Sequence, residues 1–167
     1  MDKLIINGPC KLSGEVNVSC AKNASLPILA ATILSPSKIS FSNLASLSDI
    51  NFFIKILESL GIQSNRNDSN VEIMANEISN TTADYDLVRK MRASVLVLGP
   101  LLAREKEAIV SLPGGCAIGT RPVDIHLQGL ESLGAKIEIK KGYIHATTKG
   151  LIGAKIVLPF PSVGATE

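Results

Sequence analysis

The chain has 167 residues, enough for one domain that buries roughly 70% of its unfolded surface. Seventeen Lys and Arg against fifteen Asp and Glu give a formal charge of +2, and 46% of the residues are hydrophobic, which excludes a disordered chain and the basic stripe of a nucleic-acid binder. Any anion site must therefore be local.

The N-terminus, MDKLIINGPCKLSGEV, has only three consecutive apolar residues before Asn7 and lacks the apolar core of a secretion signal, so the chain reads as cytoplasmic. Next comes a helix over residues 23–34, with Lys22 and Asn23 at its start; Asn23 is expected to cap it, and Lys22 adds full charge to its positive end. A phosphate or carboxylate would be held well there, although an ordinary cap beside a solvated lysine has the same pattern.

A strand over residues 38–42 follows, then a helix ending in LESLG at 57–61 and an alternating pair of segments turning at Asn67-Asp68. Asp84 and Asp86 look like helix-start residues for a segment spanning 86–104. Its residues 93–103 are far shorter than the roughly 20 of a membrane span, and Gly99-Pro100 predicts a kink. Arg89 and Arg92 share a face of this helix, suited either to gripping a phosphate or to facing water.

A strand at 108–112 leads into SLPGGCAIGTRP, where glycines permit sharp turning and Cys116 rides among them. Arg121 and the following helix N-terminus would lower the Cys116 thiol pKa if the loop folds back; an inert glycine turn is the plainer alternative. Pro122 suits the first turn of a helix over 123–133, and Asp124 its start. LESLG then recurs at 130–134, 73 positions after its first occurrence, and a second hairpin turns at Lys141-Gly142. One more strand is expected at 154–158, before SVGAT opens another helix.

The pattern is a repeated helix, strand, helix, hairpin unit, and a closed α/β assembly fits it best. On this pattern the sequence ends at the opening of a third repeat, with an apolar face uncovered. Cys10, Cys20 and Cys116 read as free thiols, and neither they nor His126 and His145 show metal-ligand spacing, so no metal or cofactor is expected. The two histidines read as satisfied structural or surface residues.

AKNASLPIL, YDLVRKMRASVLVLGPLLAR, VSLPGGCAIGTRPVDIHLQGLESLGA and PSVGAT, in this order, resemble the N-terminal part of the UDP-N-acetylglucosamine 1-carboxyvinyltransferase family. That resemblance, which covers essentially the whole chain, implies an inside-out α/β barrel of repeated units. Residues 1–20 would then belong to the second domain of the full-length enzyme, and residues 21–167 to an incomplete domain that carries the catalytic loop.

The implied reaction moves the enolpyruvyl group of phosphoenolpyruvate to the 3′-hydroxyl of UDP-N-acetylglucosamine, releasing phosphate, the first step of peptidoglycan precursor synthesis. By the same resemblance, Cys116 is the proton donor, and Lys22 and Arg92 complete the catalytic set. Lys22 and Asn23 contact phosphoenolpyruvate; Arg92, Arg121, Pro122, Val123, Asp124, Ile125, Ser162, Val163 and Gly164 hold UDP-N-acetylglucosamine. The implied partners are these two small molecules and a C-terminal half bearing a catalytic aspartate and a further arginine, without nucleic acid, membrane or cofactor. Cys20 and Phe160 depart from the family's usual glycine and lysine. The competing expectation is a non-catalytic anion- or nucleotide-sugar-binding module.

Overall fold

A computed structural model describes residues 3–88, 91–112 and 123–167. The first helix, α1 (Lys22–Ala31), continues as a 3-10 turn, Thr32–Leu34. It begins two residues earlier than Asn23 capping requires: Ala21 is the N-cap, without a side-chain bond, and Asn23 lies in the first turn. Pro27 inside α1 has no N–H to return to the Asn23 carbonyl.

β1 (Lys38–Phe41) and α2 (Ser48–Ser59) follow. Along α2, Ile50, Phe53, Ile54 and Leu57 recur at helical spacing and are buried, giving one apolar face against the sheet and α1. The hairpin of β2 (Gln63–Asn67) and β3 (Asn70–Met74) completes an antiparallel sheet in the order β1-β3-β2.

The expected single helix over 86–104 is instead broken into α3 (Tyr85–Val88), a 3-10 turn at Arg92–Val97, and α4 (Leu98–Glu105). Pro100 therefore does not kink a helix interior. It is the third residue of α4, where the missing N–H is one the helix would leave unpaired anyway.

β4 (Thr82–Ala83) pairs in parallel with β5 (Glu107–Ser111), and β5 pairs with the hairpin of β6 (Lys136–Lys140) and β7 (Tyr143–Thr147), in the order β4-β5-β7-β6. α5 (Asp124–Ser132) precedes that hairpin, and α6 (Val163–Thr166) lies near the end of the chain. Lys141 and Gly142 have φ of 51° and 79°, the left-handed pair that a two-residue hairpin needs.

Both copies of LESLG end their helices in the same way. Gly61 N–H donates to Glu58 O and Ile62 N–H to Leu57 O, at 2.9 and 3.1 Å; Gly134 N–H and Ala135 N–H repeat this to Glu131 O and Leu130 O, at 2.9 and 3.0 Å. The glycines, at φ of 93° and 92°, supply the left-handed residue. The chain then returns to each cap: Ser79 N–H binds Leu60 O and Ile152 N–H binds Leu133 O, at 3.1 and 2.9 Å.

One apolar core joins both sheets, with Leu29, Ile33, Phe53, Ile56, Leu101 and Ile144 fully buried. Arg104 ties the two parts of the chain together, donating to Ile33 O at 2.8 Å and to Asn76 O at 3.0 Å. The strand expected at 154–158 is absent: the segment pairs with neither sheet, and Val157 is 82% exposed. Residues 3–20 likewise carry no helix or strand, and Leu4, Ile6, Leu12 and Val16 are exposed.

Among the described residues the outer strands are β1, β2, β4 and β6. β2 is polar throughout, β4 has two residues, and β6 alternates Lys136, Glu138 and Lys140 with isoleucine, Lys140 being ion-paired to Glu138.

Candidate functional site

Arg92 opens the 3-10 turn that packs against α1, and Ser162 is the N-cap of α6, which packs against α5. These elements enclose a cavity of about 470 Å³ whose lining includes Arg92, Leu96, His126, Ser162, Gly164 and Glu167. Three of the predicted site residues, from positions 70 apart in sequence, thus meet at one opening. The Ser162 hydroxyl accepts a bond from Ala165 N–H at 3.3 Å, which caps α6 at the edge of the cavity.

The unforeseen member is His126. Its Nδ1 is buried and has no hydrogen-bond partner among the described residues, which corrects its reading as a satisfied histidine. A Cβ at position 164 would approach His126 Nε2 to 3.1 Å, so glycine there lets the turn lie against the imidazole. Burial, reinforced by the positive charge of Arg92, pushes the His126 pKa below its ordinary 6.5, while Asp124 opposes this. The ring is therefore neutral near pH 7, with one N–H to donate and one nitrogen to accept. Its sequence signal is weak: nothing in IHL announces a cavity built from residues near 92 and 162.

Val123 and Ile125 are buried at 7% and 5% exposure, so their side chains belong to the core and only their backbone is available to a ligand. Asp124 is exposed, as the first residue of α5. Val163 is exposed. Lys22 and Asn23 lie in the exposed first turn of α1, outside the cavity lining, and Lys22 Nζ donates to Asp49 Oδ2 at 2.8 Å. Cys116, Arg121 and Pro122 lie outside the described residues, as does Arg89.

Cys20 is half-buried, and its Sγ accepts from Ser25 Oγ at 3.5 Å and Ala45 N–H at 3.0 Å. These bonds, the serine's foremost, lower its thiol pKa from the ordinary 9.0. A second cavity, about 400 Å³ and mostly apolar, adjoins the first and is lined by Leu34, Pro100, Leu130, Leu133, Leu151 and Ile156. No group of three or more His, Cys, Asp or Glu could hold a metal ion among the described residues, and no helix there is long and apolar enough to cross a membrane.

The mixed α/β fold has counterparts in one class of protein, the enolpyruvyl transferases. The family of EPSP synthase (3-phosphoshikimate 1-carboxyvinyltransferase) matches residues 6–167, and the chain belongs to that family. It is similar over its whole length to UDP-N-acetylglucosamine 1-carboxyvinyltransferases, 54% identical to that of Acinetobacter baylyi and 56% to that of Pelagibacter ubique. The chain spans 40% of the length of each. Among solved structures it resembles the enolpyruvyl transferase NikO from Streptomyces tendae, with a TM-score of 0.72 at 19% identity, over 84% of this chain and 31% of that one. It also resembles EPSP synthase from Acinetobacter baumannii, with a TM-score of 0.68 at 16% identity, over 91% and 36%. At such identities the likeness establishes the fold.

Proposed function

We propose that this chain carries the nucleotide-sugar half of an active site that transfers the enolpyruvyl group of phosphoenolpyruvate to the 3′-hydroxyl of UDP-N-acetylglucosamine. The observation that carries this reading is the meeting of Arg92, Ser162, Gly164 and His126 around one cavity. A guanidinium offers a planar pair of donors to phosphate oxygens, and Ser162, the backbone of the 162–164 turn and a neutral imidazole can complete the shell.

In this reading the sugar hydroxyl adds to the carbon bearing the enol oxygen, losing its proton to a base. Cys116 protonates the methylene carbon, giving a tetrahedral ketal. Loss of phosphate and of a methyl proton then forms the enol ether. Lys22, Arg92 and Arg121 offset the crowded negative charge of two anionic substrates, and Asn23 orients phosphoenolpyruvate. Backbone at Pro122, Val123, Asp124 and Ile125 would face the uridine. A thiol delivered by a glycine-rich loop to a water-poor site is a fitting general acid. The fold is then part of an inside-out barrel whose third unit starts at α6, with residues 1–20 docking on a second domain, in a cytoplasmic enzyme of peptidoglycan precursor synthesis.

Titration calorimetry with UDP-N-acetylglucosamine tests the cavity. Arg92→Ala is expected to weaken binding about tenfold or more; unchanged affinity overturns the reading. Fosfomycin, an electrophile resembling phosphoenolpyruvate, is expected to alkylate Cys116 ahead of Cys20 and Cys10, read by peptide mass spectrometry. Because the chain spans 40% of its relatives' length, nucleotide-sugar binding without turnover is the second reading. Phosphate release with both substrates separates the two, since turnover by the 167-residue chain refutes it.

A further inference from the structure

We propose that Asp49 is a built-in counter-anion for Lys22, which an anionic substrate must displace before Lys22 can bind it. This rests on the reading of Lys22 as a phosphoenolpyruvate contact. Lys22 is the first residue of α1 and Asp49 the second of α2, and these two helices pack against one another. Their ion pair, at 2.8 Å, therefore bridges two helix N-terminal ends.

Each end leaves first-turn N–H groups without intrahelical acceptors, and neither N-cap, Ala21 or Leu47, supplies a side-chain oxygen to them. A cation at a helix N-terminus is opposed by the helix dipole, whereas an anion is favoured there. Lys22 alone would stand in an unfavourable field, and Asp49 relieves it while being favoured by its own helix. The carboxylate thus occupies the position that an anionic ligand of Lys22 would take.

Side-chain exposures of 44% for Lys22 and 38% for Asp49 keep the pair in contact with water, so it is exchangeable. The nearby guanidinium of Arg66 is committed elsewhere, to Asn51 Oδ1, Leu44 O and Asp68 O. Lys38 and Glu72 form a pair of the same length and similar exposure between two strands, away from any helix end. That pair is the internal control.

Phosphoenolpyruvate is titrated into the full chain and followed by amide NMR shifts at residues 21–25, for wild type, Asp49→Asn, Asp49→Glu, Lys22→Gln, the Lys22→Gln/Asp49→Asn double variant, and Glu72→Gln. Removing the competing charge is expected to tighten binding about two- to fivefold in Asp49→Asn, the range an exposed ion pair can shift. Asp49→Glu, which keeps the charge, stays near wild type, Lys22→Gln binds more weakly, and Glu72→Gln is unchanged. In the Lys22→Gln background Asp49→Asn gains nothing. Unchanged or weaker binding by Asp49→Asn, or an equal gain without Lys22, overturns the proposal. Shifts absent from every variant overturn the Lys22 assignment along with it, while UDP-N-acetylglucosamine binding at the Arg92 cavity is measured separately and stands or falls by itself.

Discussion

The unit from α1 to β3 and the unit from β4 to β7 follow one plan, yet they differ at three places. Their LESLG helix ends share bond patterns and glycine torsions, but Leu57 and Leu60 are fully buried, whereas Leu130 and Leu133 are half-buried along the apolar cavity. The second unit has a parallel strand, β4, leading into its helical segment; the residues before α1 and before α6 have none. Both histidines of the chain belong to the second unit. Equal motifs therefore acquire unequal energetics from their neighbours.

The largest expected effect breaks the equivalence of the two leucine pairs. Leu60→Ala removes a fully buried side chain and should cost about 2–5 kcal/mol in chemical denaturation, while Leu133→Ala, facing an open groove, should cost less than half of that. Equal losses would mean that the groove is filled in solution.

The two glycine caps sharpen the contrast. Both Gly61→Ala and Gly134→Ala impose a left-handed torsion on a residue with a Cβ, at about 1–2 kcal/mol. Only at Gly61 would that Cβ also fall 2.9 Å from the Ser79 backbone nitrogen; at Gly134 the nearest atom is Ile152 Cγ1, at 3.5 Å. Gly61→Ala is thus expected to lower the melting temperature more than Gly134→Ala.

The smallest effect concerns pH. The folded His126 pKa lies below the unfolded value of 6.5, so the native state binds fewer protons between the two. Its contribution is complete above that value and is lost as pH falls through the folded pKa. Hydrogen exchange at pH 5.5 against 7.5 should show loosening around α5 and α6 that His126→Asn abolishes, with no matching change in the histidine-free unit from α1 to β3.

Much of the fold could be read from local signals. Glycine after an apolar helical run announced both caps, and alternating residues around Lys141-Gly142 announced the second hairpin, because torsion and hydrogen-bond closure there involve only neighbouring residues. The strand expected at 154–158 failed for the opposite reason: alternation suits a strand, but a strand exists only where another edge receives its N–H groups. The break between α3 and α4 has its own cause. Pro100 was legible as a helix breaker, yet its position in a first turn depended on where α4 begins.

The site divides in the same manner. Arg92, Ser162 and Gly164 were named from the family resemblance, and the structure sets them around one cavity. His126 was read as a satisfied or surface residue because the lack of a partner for its Nδ1 among the described residues is a property of packing. Val123 and Ile125 turned out to be core side chains, consistent with their place inside a helix start.

The character of the outer strands has a consequence for how this chain meets other molecules. Of the four outer strands, a polar β2, a two-residue β4 and a charged β6 give an incoming extended segment little to zip onto, and β1, four residues long, carries Lys38 at its start. Self-assembly by sheet extension is thereby disfavoured even though isoleucines, valines and leucines lie bare elsewhere on the surface. On the helical side Leu34, Leu130 and Leu133 line an apolar trough, where any contact would rest on side-chain packing in place of backbone pairing.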